Sequence, residues 1–488
     1  MASAFFESWR SRLAAESGFR AITRSCRDTK LLCLQRFVRL FSYGASFLIL
    51  VHFLSGLGIS DDRIGLFMTL TLLGDAVISS LLTLVTDQVG RRRVLLFGAF
   101  SMAASGLVFA TSSNYWLLLF ASVFGVISPS GNEIGPFRAV EESIIAQLTE
   151  KEKRSDIFAW YTLFGTAGAA LGVVSSGWMV QVLQGMGSWG KTGAYKAVFV
   201  TYAVLGMVKF LLVNLLSPAV EIDSLQTRYQ QVPLGLQDQG RISDDSGDEE
   251  QPPRRSGSFS NRSSGSDAGR AARSPPKATA LRRFRSLLPH ISAQSQSILW
   301  RLLLLFSLDS FASGIASPSW LTYFFTTVHS LEPSALGTLF LVTNLLATLS
   351  NLAALPLARR LGPLKTMVFT HLPSAFFLGM IPLPPATPLG TWLAMTSLAL
   401  RACTQSMDQA PRQAFLAAAV LPAERTAVLG VVNVTKTLAQ AGGIGSSGVL
   451  FGRKLWVVAL GGAGAMKASY DLLMLWMFLG LVDREQER

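Results

Sequence analysis

Residues 154–177 read RSDIFAWYTLFGTAGAALGVVSSG, and residues 425–448 read RTAVLGVVNVTKTLAQAGGIGSSG. Without a gap, Gly172 falls on Gly443, and Ser175-Ser176-Gly177 falls on Ser446-Ser447-Gly448. Upstream, Glu133-Ile134-Gly135-Pro136 matches Asp408-Gln409-Ala410-Pro411, and Leu40-Phe41-Ser42 matches Leu305-Phe306-Ser307. The markers lie 265 to 275 residues apart and keep their order. The second half of the chain therefore repeats the first. A duplicated apolar chain of many spans is the build expected of a secondary transporter, with its substrate between the halves near the bilayer midplane.

Composition fits a membrane protein. Of 488 residues, 50% are hydrophobic and 15% are charged, and the mean hydropathy is +0.39. The apolar residues gather in runs of roughly 18–25, enough to cross about 30 Å of hydrocarbon. The net charge of +13 is read as basic loops rather than as a nucleic-acid surface. Cys26, Cys33 and Cys403 show neither disulfide nor metal spacing, so no metal is expected. The basic N-terminal segment has no cleavable signal pattern, so the first apolar run reads as a retained span.

Twelve spans are expected, at about 31–57, 63–86, 93–112, 115–146, 156–182 and 195–217, then about 297–326, 333–357, 364–383, 389–421, 426–450 and 463–482. The fold class is an all-α membrane protein with twelve transmembrane helices in two six-helix pseudo-symmetric bundles. Lys and Arg assign the sides. The N-terminal segment (Arg10 to Lys30), Arg91-Arg92-Arg93, Lys151 to Arg154, and Arg359 to Lys365 all fall on one side, which is then cytoplasmic. Arg453, Lys454 and Lys467, near the loop between spans 11 and 12, are the exception.

Domain boundaries follow. Residues 1–30 are a cytoplasmic segment, 31–217 and 296–482 the two bundles, and 483–488 a cytoplasmic tail. Residues 218–295 are rich in Ser, Gly, Arg and Asp and read as a disordered cytoplasmic linker. Arg254-Arg255-Ser256-Gly257-Ser258 within it has the pattern of a basophilic kinase target.

Two six-span halves joined by a long linker resemble the major facilitator superfamily. The sharpest motif is Thr83-Leu-Val-Thr-Asp87-Gln-Val-Gly90-Arg91-Arg92-Arg93. It is similar to the family's signature between spans 2 and 3 at Asp87, Gly90, Arg91 and Arg92, with Thr83 in place of the opening glycine. The second copy, Leu357 to Lys365, keeps Gly362 and the basic end but has Arg359 at the place of Asp87. The resemblance implies a latch, in which Asp87 accepts from helix N-termini and pairs with arginines across the half-interface. The alternative is a basic loop that only sets topology. The glycines of Gly165 to Gly172 partly resemble a span-5 motif of proton-coupled drug antiporters, whose proline is missing here. Pro136 and Pro411 are read as lying inside spans 4 and 10, where a freed carbonyl suits a lined cavity.

Ionisable residues within spans are costly and so become candidates. Asp75, Glu133, Asp309 and Asp408 fall near mid-span, with Arg39, Arg138, Arg412 and Lys436 toward the cytoplasmic side and Arg401 toward the other. In the family, spans 1, 4, 7 and 10 line the cavity. That resemblance makes Arg39, Tyr43, Glu133, Arg138, Asp309, Arg401 and Asp408 candidates, with Asp75 and Lys436 behind them. Glu133 and Asp408, at matched repeat positions, are expected to face each other as a proton-coupling pair. The structural alternative is neutralisation within each helix, Glu133 by Arg138 and Asp408 by Arg412. No phosphate-binding loop or clustered histidine points to an enzyme or a cofactor. The expected function is alternating-access transport of a small-molecule solute, coupled to protons and directed to export. Uptake of an anionic metabolite and a non-transporting sensor are the alternatives. The chain is expected to act as a monomer in lipid, in a plasma or vacuolar membrane.

Overall fold

The structure, a computed structural model, describes residues 19–125, 127, 136–150, 153–221, 293–419 and 424–486. Every described element is helical. Span 1 is Arg27–Gly56, span 2 Asp61–Val89, span 3 Arg91–Thr111, span 5 Arg154–Gly185 and span 6 Lys191–Asn214. Span 4 comprises two helices, Tyr115–Phe124 and Pro136–Leu148. In the second half, span 7 comprises Ala293–Ile315 and Pro318–His329, span 8 is Pro333–Leu361 and span 9 Pro363–Met380. Span 10 comprises Pro388–Ser406 and Gln409–Ala419, and span 11 is Arg425–Gly452. Span 12 opens with a π-helical segment, Val457–Gly461, and continues as Gly462–Gln486. Among the described residues, spans 1, 2, 3, 5, 6, 7 and 8 are apolar and long enough to cross a membrane by length and composition. The other five are interrupted or carry more polar and small residues. The twelve-helix architecture expected from the apolar runs is the one observed.

Local chemistry sets the helix ends. Asn114 accepts from the N–H groups of Trp116 and Leu117 to cap span 4. Proline opens four helices of the second half, at Pro318, Pro333, Pro363 and Pro388, where its missing N–H breaks no helical bond. Spans 2 and 3 are joined by Gly90 alone, at φ 101, and spans 8 and 9 by Gly362 alone, at φ 79. Only glycine takes this conformation without strain.

Matched glycines carry the packing of both halves. A Cβ on Gly172 would lie 1.9 Å from the carbonyl oxygen of Phe41, and one on Gly443 would lie 2.0 Å from that of Phe311. In return, a Cβ on Gly44 would lie 2.1 Å from the carbonyl oxygen of Ala169, and one on Gly314 2.2 Å from that of Gln440. Span 5 thus lies on the bare backbone of span 1, and span 11 on that of span 7. These contacts correct the repeat register. The structural equivalent of Phe41 is Phe311, 270 residues on, and not Phe306 as the Leu-Phe-Ser match implies. A three-residue apolar match slips easily, whereas a glycine needs its own carbonyl. In the corrected register Arg39 is equivalent to Asp309.

The halves meet through a second matched set. Gly177 of span 5 abuts Pro333 and Gly337 of span 8, while Gly448 of span 11 abuts Asp61 and Gly65 of span 2. Hydrogen bonds between the halves lie near the same level: His52 with Thr326 (2.9 Å), Tyr323 to Asp61 (3.1 Å), Gln181 to Glu332 (2.5 Å) and Ser319 to the carbonyl of Phe47 (3.0 Å). One core, with Phe53, Phe67, Trp320, Phe324 and Phe451, runs through both halves there. Toward the basic loops the core divides. Phe137, Ile144 and Tyr161 belong to one cluster, and Phe306, Phe415 and Tyr470 to another. The molecule is closed on the side opposite the basic loops, and its halves hold separate cores on the basic side.

Two expectations are corrected here. Pro411 is the third residue of its helix, so it frees no carbonyl in mid-helix; residues 128–135, just before Pro136, lie outside the described residues. The opening of the expected linker is ordered: Pro218–Val220 forms a 3₁₀ turn. Residues 222–292, which hold the rest of the linker and its kinase pattern, lie outside the described residues.

Candidate functional site

Two buried ionic networks occupy the bundles. In the first half, Arg39 of span 1 donates to Glu141 of span 4 at 2.6 Å, and the Tyr161 hydroxyl of span 5 donates to the same carboxylate oxygen at 2.6 Å. Lys209 of span 6 stands 3.8 Å from the other oxygen. Arg36 lies over the Tyr161 ring, 4.1 Å from its centroid. Glu141 is fully buried. None of the three is marked by the sequence alone: Glu141 falls near the end of span 4, Tyr161 is one of several aromatics in span 5, and Lys209 draws no attention. The only sequence signal for Lys209 is a lone lysine in an apolar run.

The second network centres on Asp309 of span 7. Lys467 of span 12 donates to Asp309 Oδ1 at 2.6 Å and to Ser313 Oγ at 2.8 Å. Arg412 of span 10 donates to Asp309 Oδ2 at 3.1 Å and also pairs with Asp408. His371 Nε2 of span 9 lies 3.9 Å from Asp309, while its Nδ1 is 2.9 Å from Asp471 of span 12. A carboxylate only accepts, so Nδ1 carries the hydrogen of that bond. Asp309 has no partner nearby in sequence, yet the fold brings it cations from two spans. Lys467, which reads as a loop lysine against the charge rule, is 1% exposed inside span 12. Its reason is the Asp309 carboxylate. His371 and Asp471 were missed because a histidine and an aspartate 100 residues apart give no local pattern.

Other candidates fall elsewhere. Glu133 lies outside the described residues, so its expected pairing with Asp408 does too. Arg138 pairs with Glu142 at 2.6 Å, four residues on, and both side chains are partly exposed. Tyr43 is buried beside span 5. Asp75 is buried on span 2, 3.4 Å from the Ser79 hydroxyl. Lys436 of span 11 sits over the Phe306 ring at 5.2 Å. Arg401 is buried in the first helix of span 10.

The basic loop between spans 2 and 3 is held within its own half. The Glu221 carboxylate accepts from the backbone N–H groups of Arg91 (2.8 Å) and Arg92 (3.1 Å), capping span 3. The Arg91 side chain donates to Gln147, and that of Arg92 to the carbonyl of Asn214. The side chain of Asp87 lies outside the described residues. Glu221 therefore fills the helix-capping part that the motif suggests for Asp87. Nothing in the sequence marks it, because it follows span 6 by a turn.

Comparison with known proteins gives a consistent answer. A family model described as Major Facilitator Superfamily matches residues 32–444. The uncharacterized membrane protein YJR124C of Saccharomyces cerevisiae is 35% identical over 458 residues, covering 93% of this chain and 95% of its own length. Among solved structures, a D-xylose–proton symporter has a TM-score of 0.63 at 14% identity, covering 91% of this chain and 96% of its own. A peptide transporter in complex with sulfate also has a TM-score of 0.63 at 14% identity, covering 93% and 95%. At that identity the structures speak to the fold. With the family model and the yeast relative they agree with the two glycine-packed halves and the buried charges: the chain belongs to the major facilitator superfamily and is a multi-pass secondary transporter, not an enzyme.

Proposed function

We propose that this transporter moves a small organic solute by alternating access, coupled to protons through the Asp309 network. The observation that carries the proposal is the joining of spans 7, 9, 10 and 12 at one buried carboxylate. Buried charge of this kind is costly and is retained where a proton or substrate passes. The network holds three aspartates, Asp309, Asp408 and Asp471, against Arg412, Lys467 and a histidine. A proton gained or lost by any one member alters the balance of the whole cluster. Export is the proposed direction, after the partial drug-antiporter resemblance of the span-5 glycines. Rocking that parts the Gly177–Gly337 and Gly448–Gly65 contacts would open the closed side. Glu133 is proposed to face Asp408 as a second carboxylate in the route, and Asp87 to form part of a basic-side latch.

We further propose bundles at 31–217 and 296–482 joined by a disordered linker open to kinases. The chain is proposed to work as a monomer in the plasma or vacuolar membrane. The test is proton movement in proteoliposomes under an imposed pH gradient, with cationic, neutral and anionic solutes. Wild type is run beside Asp309→Asn, Asp408→Asn and Glu133→Gln. Solute-evoked proton flux that disappears in Asp309→Asn, in folded protein, is the expected result. Solute movement without protons overturns the coupling and leaves the transporter standing.

A further inference from the structure

We infer that Arg401 is the anchor for a carboxylate on the transported solute. The inference rests on the transporter reading above and names its substrate class. Arg401 is 8% exposed, and its buried Nε has no hydrogen-bond partner. Among the described residues its guanidinium makes no hydrogen bond or ion pair. Every other buried or half-buried basic group of the two networks has a partner. Arg39 and Lys209 share Glu141, Arg36 lies on Tyr161, Lys467 holds Asp309, and Arg412 holds Asp309 and Asp408. Asp309 is the acid whose field reaches Arg401, and it is already engaged by two cations.

A charge taken out of water without a partner is expensive. It persists where a ligand supplies the missing anion. The position suits that part. Arg401 stands near the end of the first helix of span 10 (Pro388–Ser406), while Asp408 lies in the turn before the second helix and Arg412 within it. Being N-terminal to Asp408, Arg401 lies toward the closed side of the span. The neighbouring hydroxyls of Ser397 and Thr404 are occupied by carbonyls of their own helix, so the guanidinium is the free recognition group there. A planar guanidinium matches a carboxylate bidentately. One unpaired cation suits one negative charge, whereas a phosphate dianion calls for a second. A carboxylate at Arg401 also changes the field at Asp309, which ties solute binding to the coupling network.

The test uses the purified full-length chain in detergent micelles at neutral pH, with no proton gradient. The probes are lactate, pyruvate, benzoate and succinate, with lactamide and benzamide as neutral counterparts and methyl phosphate as a competing anion. Thermal unfolding and binding isotherms are read for wild type, Arg401→Gln and Arg401→Lys. The expected result is stabilisation of wild type by at least one carboxylate and not by its amide. Binding falls tenfold or more in Arg401→Gln and less in Arg401→Lys, which keeps charge but loses the fork. Without ligand, Arg401→Gln melts at or above wild type, because it sheds an unpaired charge. Three outcomes overturn the inference: no carboxylate stabilises wild type, methyl phosphate outbinds every carboxylate, or unliganded Arg401→Gln melts well below wild type. Because binding needs no gradient, failure of proton coupling and failure of this site are read separately.

Discussion

Lys467 Nζ lies 2.6 Å from Asp309 Oδ1, across 158 residues of chain. Both side chains are nearly or fully out of solvent. Breaking one member of a buried pair leaves the other charge unpaired, at a cost of about 3–5 kcal/mol. Arg412 still holds Asp309 when Lys467 is gone, so Lys467→Met is expected to lose less, about 1.5–3 kcal/mol by chemical unfolding in micelles, the worth of a hydrogen bond to a charged group. Lys467→Met with Asp309→Asn is expected to recover part of it. Losses that simply add would show that the two groups are not coupled.

The first-half network predicts a graded series. Glu141→Gln removes the counter-charge of Arg39 and Lys209 and is expected to cost about 3–5 kcal/mol. Tyr161→Phe removes one hydrogen bond to a charged group, worth about 1.5–3 kcal/mol. Equal losses in the two variants would contradict the central position of Glu141.

Glycine packing gives a sharper contrast. A methyl at Gly172 or Gly443 would enter a backbone carbonyl of the neighbouring span, so Gly172→Ala and Gly443→Ala are expected to abolish folded yield in size-exclusion chromatography. Gly430, on the same helix as Gly443, has nothing within 4 Å of a built Cβ. Gly430→Ala is expected to be neutral or to stabilise by about 0.5–1 kcal/mol. Normal yield from Gly172→Ala would refute the close approach of spans 1 and 5.

The closed side depends on polar contacts between the halves. Removing Tyr323 to Asp61 and Gln181 to Glu332 through Tyr323→Phe and Gln181→Ala is expected to shift the population toward opening there. Each pair is worth about 1 kcal/mol, so the double variant shifts the ratio roughly tenfold or more. A cysteine introduced at Thr326, with Cys26, Cys33 and Cys403 replaced, reports the change as faster labelling by a water-soluble maleimide. Labelling that stays at the wild-type rate would mean these bonds do not hold the gate.

Much of this molecule is legible in its chain. Apolar runs near 20 residues leave the backbone no option in lipid but helix, so the span count and the fold class follow from composition and length. The duplicated Ser-Ser-Gly stretches mark the two halves because small residues at fixed spacing record where helices touch. Asp309 and Asp408 stand out by charge alone, since an acid in an apolar run demands a reason. What the chain does not reveal is which charges meet. Arg39 and Glu141 are 102 residues apart, and His371 and Asp471 are 100 apart. Side chains on different helices become neighbours only after the helices have taken their rotation and depth. The Phe41–Phe311 register, the burial of Lys467, the capping part of Glu221 and the lack of a partner for Arg401 among the described residues were all decided at that step. Hydrophobic length fixes each helix by itself, whereas the pairing of buried charges depends on the mutual placement of several helices at once.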